Sequence, residues 1–447
     1  MKLVVLGGGG FRVPLVYRAL LTTPRAPRVD EIVLHDLDPQ RLAAIAAVLG
    51  QIGAAHHRVP TVRATGDLED ALDGADVVFS AIRTGGLSGR VADERVALDL
   101  GVLGQETTGP GGLAFGMRTV PVALHIAEVA ARRCPSAWFI NFTNPAGMIT
   151  EALQSVLGDR VVGICDSPMV LARRAARALG CADQEIVVDY AGLNHLGWLQ
   201  GLSVGGRDRL ADLVGDPDAL RTMEEGQLFG AEWIQTLGVL PNEYLYYYYF
   251  TRDAITAIAG RSSTRGEYLL MQQGAFYRRV LDAPELALPI WDRTRLERNA
   301  TYMQESRGDA DERHPDDVDG GGYEGVAVAL IAALLGGEPA QLILNVRNGA
   351  TLADLPADAV VEVTCQVDER GPRPMHVTPL TGEMLGLVQQ VKAVERLAIR
   401  ASQSGSRTLA VRALAVHPLV DSVTTARQLF DGYRERIPEL ATVFGEG

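Results

Sequence analysis

The sequence predicts an α/β fold, in which a Rossmann-type doubly wound parallel sheet is joined to a second α+β domain as in lactate and malate dehydrogenases. The chain begins with a short β-branched run, "KLVVL", that leads into four glycines and a helical pattern. Apolar runs of strand length then alternate with polar turns and helical stretches as far as about residue 195. Such alternation is typical of parallel sheets. From about residue 207 helices dominate, so we predict one domain over residues 1–195 and another over residues 196–447.

The composition argues against several classes of partner. The chain has 447 residues and a formal net charge of −13, which disfavours nucleic acid and anionic membrane surfaces. Glycines interrupt the N-terminal apolar run, so it is neither a signal peptide nor a membrane span. The four cysteines have no pairing pattern and suit a reducing compartment. We therefore expect a cytoplasmic protein that acts on a small molecule.

The glycine run predicts a dinucleotide site. It lies between a strand and a helix, where backbone N–H groups and the helix dipole favour a pyrophosphate. Asp36 ends the second strand, 26 residues beyond Gly10, and its carboxylate favours NAD over NADP. The third glycine of the usual motif is replaced by Arg12. The predicted NAD-binding residues are Gly7, Gly8, Gly9, Gly10, Phe11, Arg12, Asp36, Arg83 and Thr143.

Cys165 and His195 are candidate metal ligands. They are 30 residues apart, and each follows an apolar run. Singly, each is more often a buried structural residue. If both strands belong to one parallel sheet, their carboxyl ends bring thiol and imidazole together in a catalytic site for Mn²⁺, Fe²⁺, Co²⁺ or Zn²⁺, in which substrate oxygens fill the open positions of the metal. Asp166 either supports this site, acts as a general acid, or caps the following helix, and the cap is favoured by its position.

Three further stretches have unusual composition. The loop "GQETTGPGG" predicts a cradle near the nicotinamide, built from Gln105, Glu106, Thr107 and Thr108. In "EYLYYYYF" five tyrosines occupy six positions, so at least one should meet solvent or a site. The acidic, glycine-rich residues 306–325 predict a mobile loop.

Longer blocks extend over essentially the whole chain and resemble one family. They are "GVLGQETTGPGGLAFGMRTVPV", "INFTNPAGMITEA", "GICDSP", "GLNHLGW", "EYLYYYY", "TRGE" and "NVRNGATLADLPADAVVEV". Their order and approximate spacing resemble those of glycoside hydrolase family 4, the NAD- and divalent-metal-dependent glycosidases.

The resemblance implies a role for individual residues. Cys165 and His195 would hold the metal, for which Mn²⁺ is the expected ion, and Tyr244 would be the base. Sugar contacts are implied for Asn144 and Asn194, and contacts to a sugar 6-phosphate for Arg90 and Arg265. The implied mechanism oxidises C3, removes the C2 proton, eliminates the C1 aglycone, adds water and returns the hydride, so NAD is recycled. The family also implies a homodimer or homotetramer.

The substrate branch is less sharply defined. Asp166 follows the metal cysteine, where many 6-phospho-β-glucosidases of the family have Asn, many 6-phospho-α-glucosidases have Asp, and other branches have His. We favour a 6-phospho-β-glucosidase, with the α form and unphosphorylated glycosidases left open and with Asp166 as a candidate proton donor to the aglycone. A 2-hydroxy-acid dehydrogenase that uses Arg83 or Arg90, and a non-catalytic sugar-phosphate sensor, are the alternatives from other classes.

Overall fold

The computed structural model describes residues 1–24, 26–303 and 322–445. Six parallel strands form its first part in the spatial order β3-β2-β1-β4-β5-β6. This is the Rossmann strand order, and it confirms the predicted fold class. The strands are β1 (Lys2–Leu6), β2 (Glu31–His35), β3 (Thr61–Thr65), β4 (Val77–Ser80), β5 (Trp138–Asn141) and β6 (Val161–Gly163).

Helices cover both faces of this sheet. In β1, Leu3 and Val5 belong to one apolar core, while Val4 and Leu6 belong to another, because successive side chains of a strand point to opposite faces. The sheet is therefore doubly wound. Its connecting helices are α1 (Val13–Thr22), α2 (Pro39–Ala54), α3 (Leu68–Leu72), α4 (Gly86–Asp99), α5 (Pro110–Arg133), α6 (Ala146–Leu157) and α7 (Ser167–Ala178).

The second half of the chain extends the same sheet with antiparallel strands. These are β7 (Ile186–Leu193), β8 (Leu196–Val204), β9 (Arg207–Asp208), β10 (Leu240–Pro241), β11 (Ala340–Arg347), β12 (Val360–Asp368) and β13 (Gly371–Pro374). Beyond β6 the order is β11-β12-β7-β8-β10, with β9 paired to β8 and β13 to β12. The boundary predicted after residue 195 falls in the turn between β7 and β8, and it stays a prediction.

Helices fill most of the remaining described chain, as the sequence predicts. They are α8 (Leu210–Val214), α9 (Pro217–Arg221), α10 (Glu224–Phe229), α11 (Ala231–Leu237), α12 (Tyr246–Tyr249), α13 (Thr251–Ala259), α14 (Arg265–Asp282), α15 (Ala287–Ala300), α16 (Tyr323–Leu334), α17 (Gly382–Ser404), α18 (Arg407–Ala415), α19 (Val423–Arg436) and α20 (Pro438–Phe444). Short 3₁₀ turns span Gly158–Arg160, Glu243–Leu245 and Pro284–Leu286. Of the predicted loop at 306–325, residues 306–321 lie outside the described residues, and the chain is helical from Tyr323.

Helix α5 is a core helix of the sheet. Its 24 residues are long and apolar enough to cross a membrane, but 72% of the apolar window is buried inside the protein. Arg118 in this helix forms a fully buried pair with Asp93 of α4, with both N–O distances at 2.7 Å. The pair fixes α4 against α5 and thereby places the loop between them, which lines the site.

Candidate active site

A cavity of about 1440 Å³ lies at the carboxyl ends of β1 and β4, where the strand order reverses. This switch point is the usual ligand site of open α/β sheets. Most of the residues predicted from the sequence line it: Gly7, Gly10, Phe11, Arg12, Asp36, Arg83, Arg90, Asn144, Cys165, Asp166, His195 and Tyr244. The lining formed by the described residues does not include other predicted residues, namely Gly8, Gly9, Thr143, Asn194 and Arg265.

The glycine turn is compact and is fixed to Asp36. Gly7 has a φ of 77°, and a Cβ atom there would lie 2.6 Å from the carbonyl oxygen of Ala81. The N–H of Gly10 donates to the carbonyl of Gly7 at 2.8 Å. The N–H of Gly9 donates to Oδ2 of Asp36 at 3.0 Å. The carboxylate predicted to select NAD therefore lies directly beside the turn that would hold the pyrophosphate.

Arg12 connects this turn to the residue after Cys165. Its guanidinium lies 3.3 Å from Oδ2 of Asp166 and 4.2 Å from the ring centre of Tyr323. Burial alone would raise the pKa of Asp166, but Arg12 lowers it below its ordinary value. Asp166 precedes α7, yet its side chain accepts no hydrogen bond from the first turn of that helix. The helix-cap interpretation is therefore wrong, because the carboxylate pairs with Arg12 instead.

Cys165 and His195 do line one cavity, but the strand arrangement assumed for them is wrong. Cys165 follows β6, and β7 is separated from β6 by the antiparallel pairings β6-β11, β11-β12 and β12-β7. The two strands hence run in opposite directions. His195 lies instead in the tight turn between β7 and β8, where its φ of 62° is uncommon for a residue with a side chain.

The environments of both residues suit a metal ion. Burial lowers the pKa of His195 to about 4, so its imidazole is neutral, and burial raises the pKa of the Cys165 thiol. Nδ1 of His195 is buried and has no hydrogen-bond partner among the described residues. Within the same residues, no group of three His, Cys, Asp or Glu side chains could hold a metal. Any metal held here would thus keep open positions.

Buried polar side chains position the metal candidates and Tyr244. The ring of Tyr244 stacks on that of His195, with centroids 3.6 Å apart and an interplanar angle of 5°. Asn242 accepts from the N–H of Tyr244 at 3.1 Å and donates to Oγ of Ser167 at 2.9 Å. The hydroxyl of Ser167 in turn lies 3.3 Å from Sγ of Cys165. One network therefore connects the base candidate to the thiol.

The tyrosine run divides as the sequence predicts. Tyr246 and Tyr247 are buried in the apolar core, whereas Tyr244 faces the cavity. Burial raises the pKa of Tyr244 well above its ordinary value. Sequence reasoning missed two neighbours that line the cavity with it, Glu243 and Tyr302. Glu243 directly precedes the tyrosine run, and this position in the sequence could have identified it as a site residue.

The loop at 104–109 contributes a buried charge to the cavity through Glu106, and its role as a backbone cradle stays a prediction. Oε1 of Gln105 accepts hydrogen bonds from the N–H groups of Thr107 and Thr108, both at 2.6 Å, so this side chain only shapes the loop. Glu106 lies 2.7 Å from both Arg83 and Arg90. Burial would raise the pKa of Glu106, but the two arginines lower it to about 2.

Arg298 is a buried cation that the sequence did not single out. It lines the cavity from the end of α15, and Arg265 donates to its carbonyl oxygen at 2.8 Å. Burial and the nearby guanidinium groups of Arg12, Arg265 and Arg90 lower its pKa to about 9. Its Nε is buried without a hydrogen-bond partner among the described residues. This excess of positive charge is suited to an anionic ligand.

Two family models match the chain in succession. Residues 2–181 match "Family 4 glycosyl hydrolase", and residues 190–420 match "Family 4 glycosyl hydrolase C-terminal domain". The chain is 33% identical to the "Probable 6-phospho-beta-glucosidase" of Bacillus subtilis, over 96% of this chain and 95% of that protein.

Solved structures with the same fold include both anomeric classes. The 6-phospho-beta glucosidase of Thermotoga maritima, solved with manganese, NAD⁺ and glucose-6-phosphate, has a TM-score of 0.82 at 26% identity and covers 98% of this chain and 99% of its own. A 6-phospho-alpha-glucosidase from gut microorganisms, in complex with NAD and Mn²⁺, has a TM-score of 0.80 at 25% identity, with 97% of each chain covered. A lactate dehydrogenase from a deep-sea metagenome library has a TM-score of 0.52 at 15% identity, which shows the fold alone.

Replacing Arg298 with an apolar residue should stabilise the ligand-free protein. Because its pKa is lowered in the folded state, the folded protein binds this proton less tightly than the unfolded chain does. The resulting cost is complete at neutral pH and is relieved only as the pH rises above about 9. We expect Arg298→Met to raise the free energy of unfolding by about 1–4 kcal/mol at pH 7, measured by urea denaturation.

Arg293→Met is the matched control on the same helix. Arg293 is mostly exposed and pairs with Glu297, so its loss should change the free energy of unfolding by less than about 0.5 kcal/mol. A lower stability of Arg298→Met than of the unsubstituted protein would contradict the interpretation of Arg298 as an uncompensated cation.

Proposed function

The chain belongs to family 4 of the glycosyl hydrolases, and on this premise we propose that it hydrolyses 6-phosphoglucosides, with β-linked substrates favoured, using NAD and Mn²⁺. One observation carries the proposal. A single cavity is lined by the glycine turn, the two metal candidates, Tyr244 and several arginines, so cofactor, sugar and phosphate have complementary groups within one space. The relatives with similar sequences and structures are named as enzymes of this type.

The glycine turn fits NAD. The lack of a side chain at Gly7 permits the turn, and a pyrophosphate bound to it would lie at the amino end of α1, where the helix dipole favours an anion. Asp36 is fixed beside the turn by Gly9, where a carboxylate can accept hydrogen bonds from ribose hydroxyls. We assign the same cofactor site to Phe11, Arg12 and Arg83, which line the cavity, and to Thr143.

Cys165 and His195 fit a divalent metal. Nδ1 of His195 has no hydrogen-bond partner among the described side chains, and the imidazole is neutral, as a ligand must be. A soft thiolate and an imidazole, with the remaining positions open to sugar oxygens, match a catalytic site. When bound, NAD⁺ supplies reversible oxidation of the sugar at C3, and the metal supplies Lewis acidity.

The side chains around these groups have separate tasks. We assign removal of the C2 proton to Tyr244, whose ring is held against His195 and whose side chain lines the cavity. Asn144 lines the cavity with a buried Oδ1 that has no partner among the described residues, which suits a sugar hydroxyl. Asn194 lies behind His195, where its amide hydrogen-bonds to Glu362 and to the N–H of Ala146.

The 6-phosphate is proposed to bind the cationic side of the cavity. Arg90 and Arg298 line it, and Arg265 holds the backbone around Arg298 from behind. A phosphate would offset the repulsion among these guanidinium groups, and arginine is well matched to phosphate geometry. Asp166 is paired with Arg12, and we retain its role in protonating the aglycone only as a hypothesis.

Assembly and location are further parts of the proposal. Leu270 and Met271 are exposed apolar side chains on α14, and they are consistent with the homodimer or homotetramer implied by the family. Four free cysteines support a reducing, cytoplasmic location. Two family models that divide between residues 181 and 190 support a functional division near residue 195.

Aglycone release from paired substrates tests the activity. We expect release from a 6-phospho-β-glucoside to require both NAD⁺ and Mn²⁺ under reducing conditions, without NADH accumulating at its absorbance band. Release should be slower from the 6-phospho-α-glucoside and from both unphosphorylated glucosides. Steady NADH accumulation would indicate a dehydrogenase, and NAD binding with no turnover of any substrate would indicate a sensor.

Removal of either proposed metal ligand should weaken metal binding strongly. We expect Cys165→Ser and His195→Ala each to weaken Mn²⁺ binding by about 100-fold or more, since even supporting residues of metal sites cost 10- to 100-fold. Calorimetric titration of Mn²⁺ measures this change independently of turnover. Cys134→Ser, at another buried cysteine outside the cavity wall, is the control and should bind Mn²⁺ normally.

Arg298→Met should separate phosphorylated from unphosphorylated substrates. Loss of a charge-assisted contact of about 1.5–3 kcal/mol should raise KM for a 6-phosphoglucoside by about 10- to 100-fold. KM for the unphosphorylated glucoside should stay within about twofold, and Arg293→Met should change neither value. Equal increases in KM for both substrates would exclude Arg298 as a phosphate contact.

A further inference from the structure

Three ionisable side chains form a line of hydrogen bonds that begins at Tyr244. The hydroxyl oxygens of Tyr244 and Tyr302 are 3.1 Å apart, and the hydroxyl of Tyr302 donates to Oε1 of Glu243 at 2.7 Å. Both distances are within hydrogen-bond range. All three side chains line the cavity. The line therefore connects the proposed base to a carboxyl group.

The direction of these hydrogen bonds is determined by the carboxylate. Ionised Glu243 can only accept, so the single proton of Tyr302 points to Oε1 of Glu243. The oxygen of Tyr302 must then accept, which means that Tyr244 donates to it. With its proton directed at Tyr302, Tyr244 has lone pairs available for a proton from the cavity.

We propose that Tyr302 and Glu243 form a proton relay through which Tyr244 removes the C2 proton of the substrate. This inference rests on the proposed function, in which the sugar is already a ketone at C3. The C2–H bond breaks as the new O–H bond of Tyr244 forms. The original proton of Tyr244 moves to Tyr302, and that of Tyr302 moves to Glu243. The electron pair of the C2–H bond remains on the sugar as the enolate, so the negative charge moves from Glu243 to the substrate.

The surroundings of Glu243 suit a group that takes up and returns a proton. The pKa of Glu243 is raised to about 7, since burial and the neighbouring Glu224 and Glu225 of α10 raise it more than Arg174 of α7 lowers it. Oε2 of Glu243 lies 3.6 Å from Arg174, which makes closer pairs with Glu224 at 2.6 Å and Glu225 at 2.7 Å. A carboxyl group with this pKa exchanges a proton readily near neutral pH.

The relay also explains how a phenol can act as a base without first losing its proton. Tyr244 gives one proton to Tyr302 as it receives another from C2, so no separate phenolate is required. When water has added to C1, the reverse transfers return a proton to C2 and leave Glu243 ionised. Tyr302 and Glu243 act through Tyr244 and are therefore positioning residues for the proton transfer.

Glu243→Gln and Tyr302→Phe test the relay. Glutamine keeps the size of Glu243 and an acceptor for Tyr302 but does not take up a proton at neutral pH, and phenylalanine removes the middle oxygen. We expect each substitution to lower kcat on a 6-phosphoglucoside by about 100-fold, the usual scale of general base catalysis. KM, NAD⁺ binding and Mn²⁺ binding should stay within about threefold of the unsubstituted protein.

Two readouts distinguish the relay from a structural role. Deuterium at C2 should slow both variants more than it slows the unsubstituted protein, because proton transfer becomes the slow step. The relay needs ionised Glu243, so kcat of the unsubstituted protein should rise with pH through an apparent pKa of about 7. In Glu243→Gln this rise of kcat with pH should be absent. The double variant should be no slower than either single variant, since both interrupt the same path.

Glu225→Gln is the matched control. Glu225 is a neighbouring buried carboxylate on the same arginine, and it makes no hydrogen bond with Tyr302 among the described residues. Because Glu225 raises the pKa of Glu243, Glu225→Gln should move the pH dependence of kcat to lower pH, but it should keep kcat at pH 8 within about twofold and keep the isotope effect. If Glu243→Gln proves unstable in thermal unfolding, Tyr302→Phe carries the same test.

The outcomes separate the relay from the activity. Unchanged kcat and isotope effects in Glu243→Gln or in Tyr302→Phe, alongside an active unsubstituted protein, would overturn the relay and leave the proposed function standing. An unsubstituted protein without release that depends on NAD⁺ and Mn²⁺ would overturn both. The relay is supported if both variants lose kcat and show an increased isotope effect, and if kcat of Glu243→Gln does not rise with pH near 7.

Discussion

The buried carboxylate of Glu362 ties together β11, β12 and β7 and thereby positions the turn that carries His195. It lies in β12, beside Asn345 of β11, and accepts hydrogen bonds from Asn345 at 2.8 Å, Asn194 at 3.2 Å and Tyr190 at 3.3 Å. Its pKa is raised to about 7, because burial raises the pKa more than the hydrogen bonds from these three donors lower it. Asn194 is also the residue before His195. The position of the hairpin tip, and so of a metal candidate, depends on this carboxylate.

Around the cavity, charge is distributed unequally. Glu106 pairs with both Arg83 and Arg90 on one side, Glu94 also pairs with Arg90, and Asp166 pairs with Arg12 at the glycine turn. Arg298 has no comparable partner among the described residues, and its lowered pKa reflects that imbalance. Unpaired buried charges destabilise a protein, and they often occur at functional sites because a bound ligand supplies the opposite charge. The same reasoning applies to the unpartnered Nδ1 of His195.

Two sequence interpretations failed for a shared physical reason. Asp166 stands where a helix cap is expected, but its carboxylate pairs with Arg12, which lies 154 positions earlier in the chain. His195 ends an apolar run, but β7 pairs with β12, more than 160 positions further along, and this pairing reverses its direction relative to β6. Local patterns describe what a segment prefers by itself. They contain no information on partners that are distant in the chain.

The sequence by itself determined the α/β class, the glycine turn with Asp36, and the list of residues with suitable chemistry, because strand periodicity, turn glycines and long motif blocks are local features. Only the tertiary structure decided which of them meet. It placed Cys165 and His195 beside one cavity through antiparallel strands, and it brought Tyr302 and Glu243 to Tyr244. Hydrogen bonds, ion pairs and shifts in pKa depend on distances between side chains, and those distances exist only once the chain has folded.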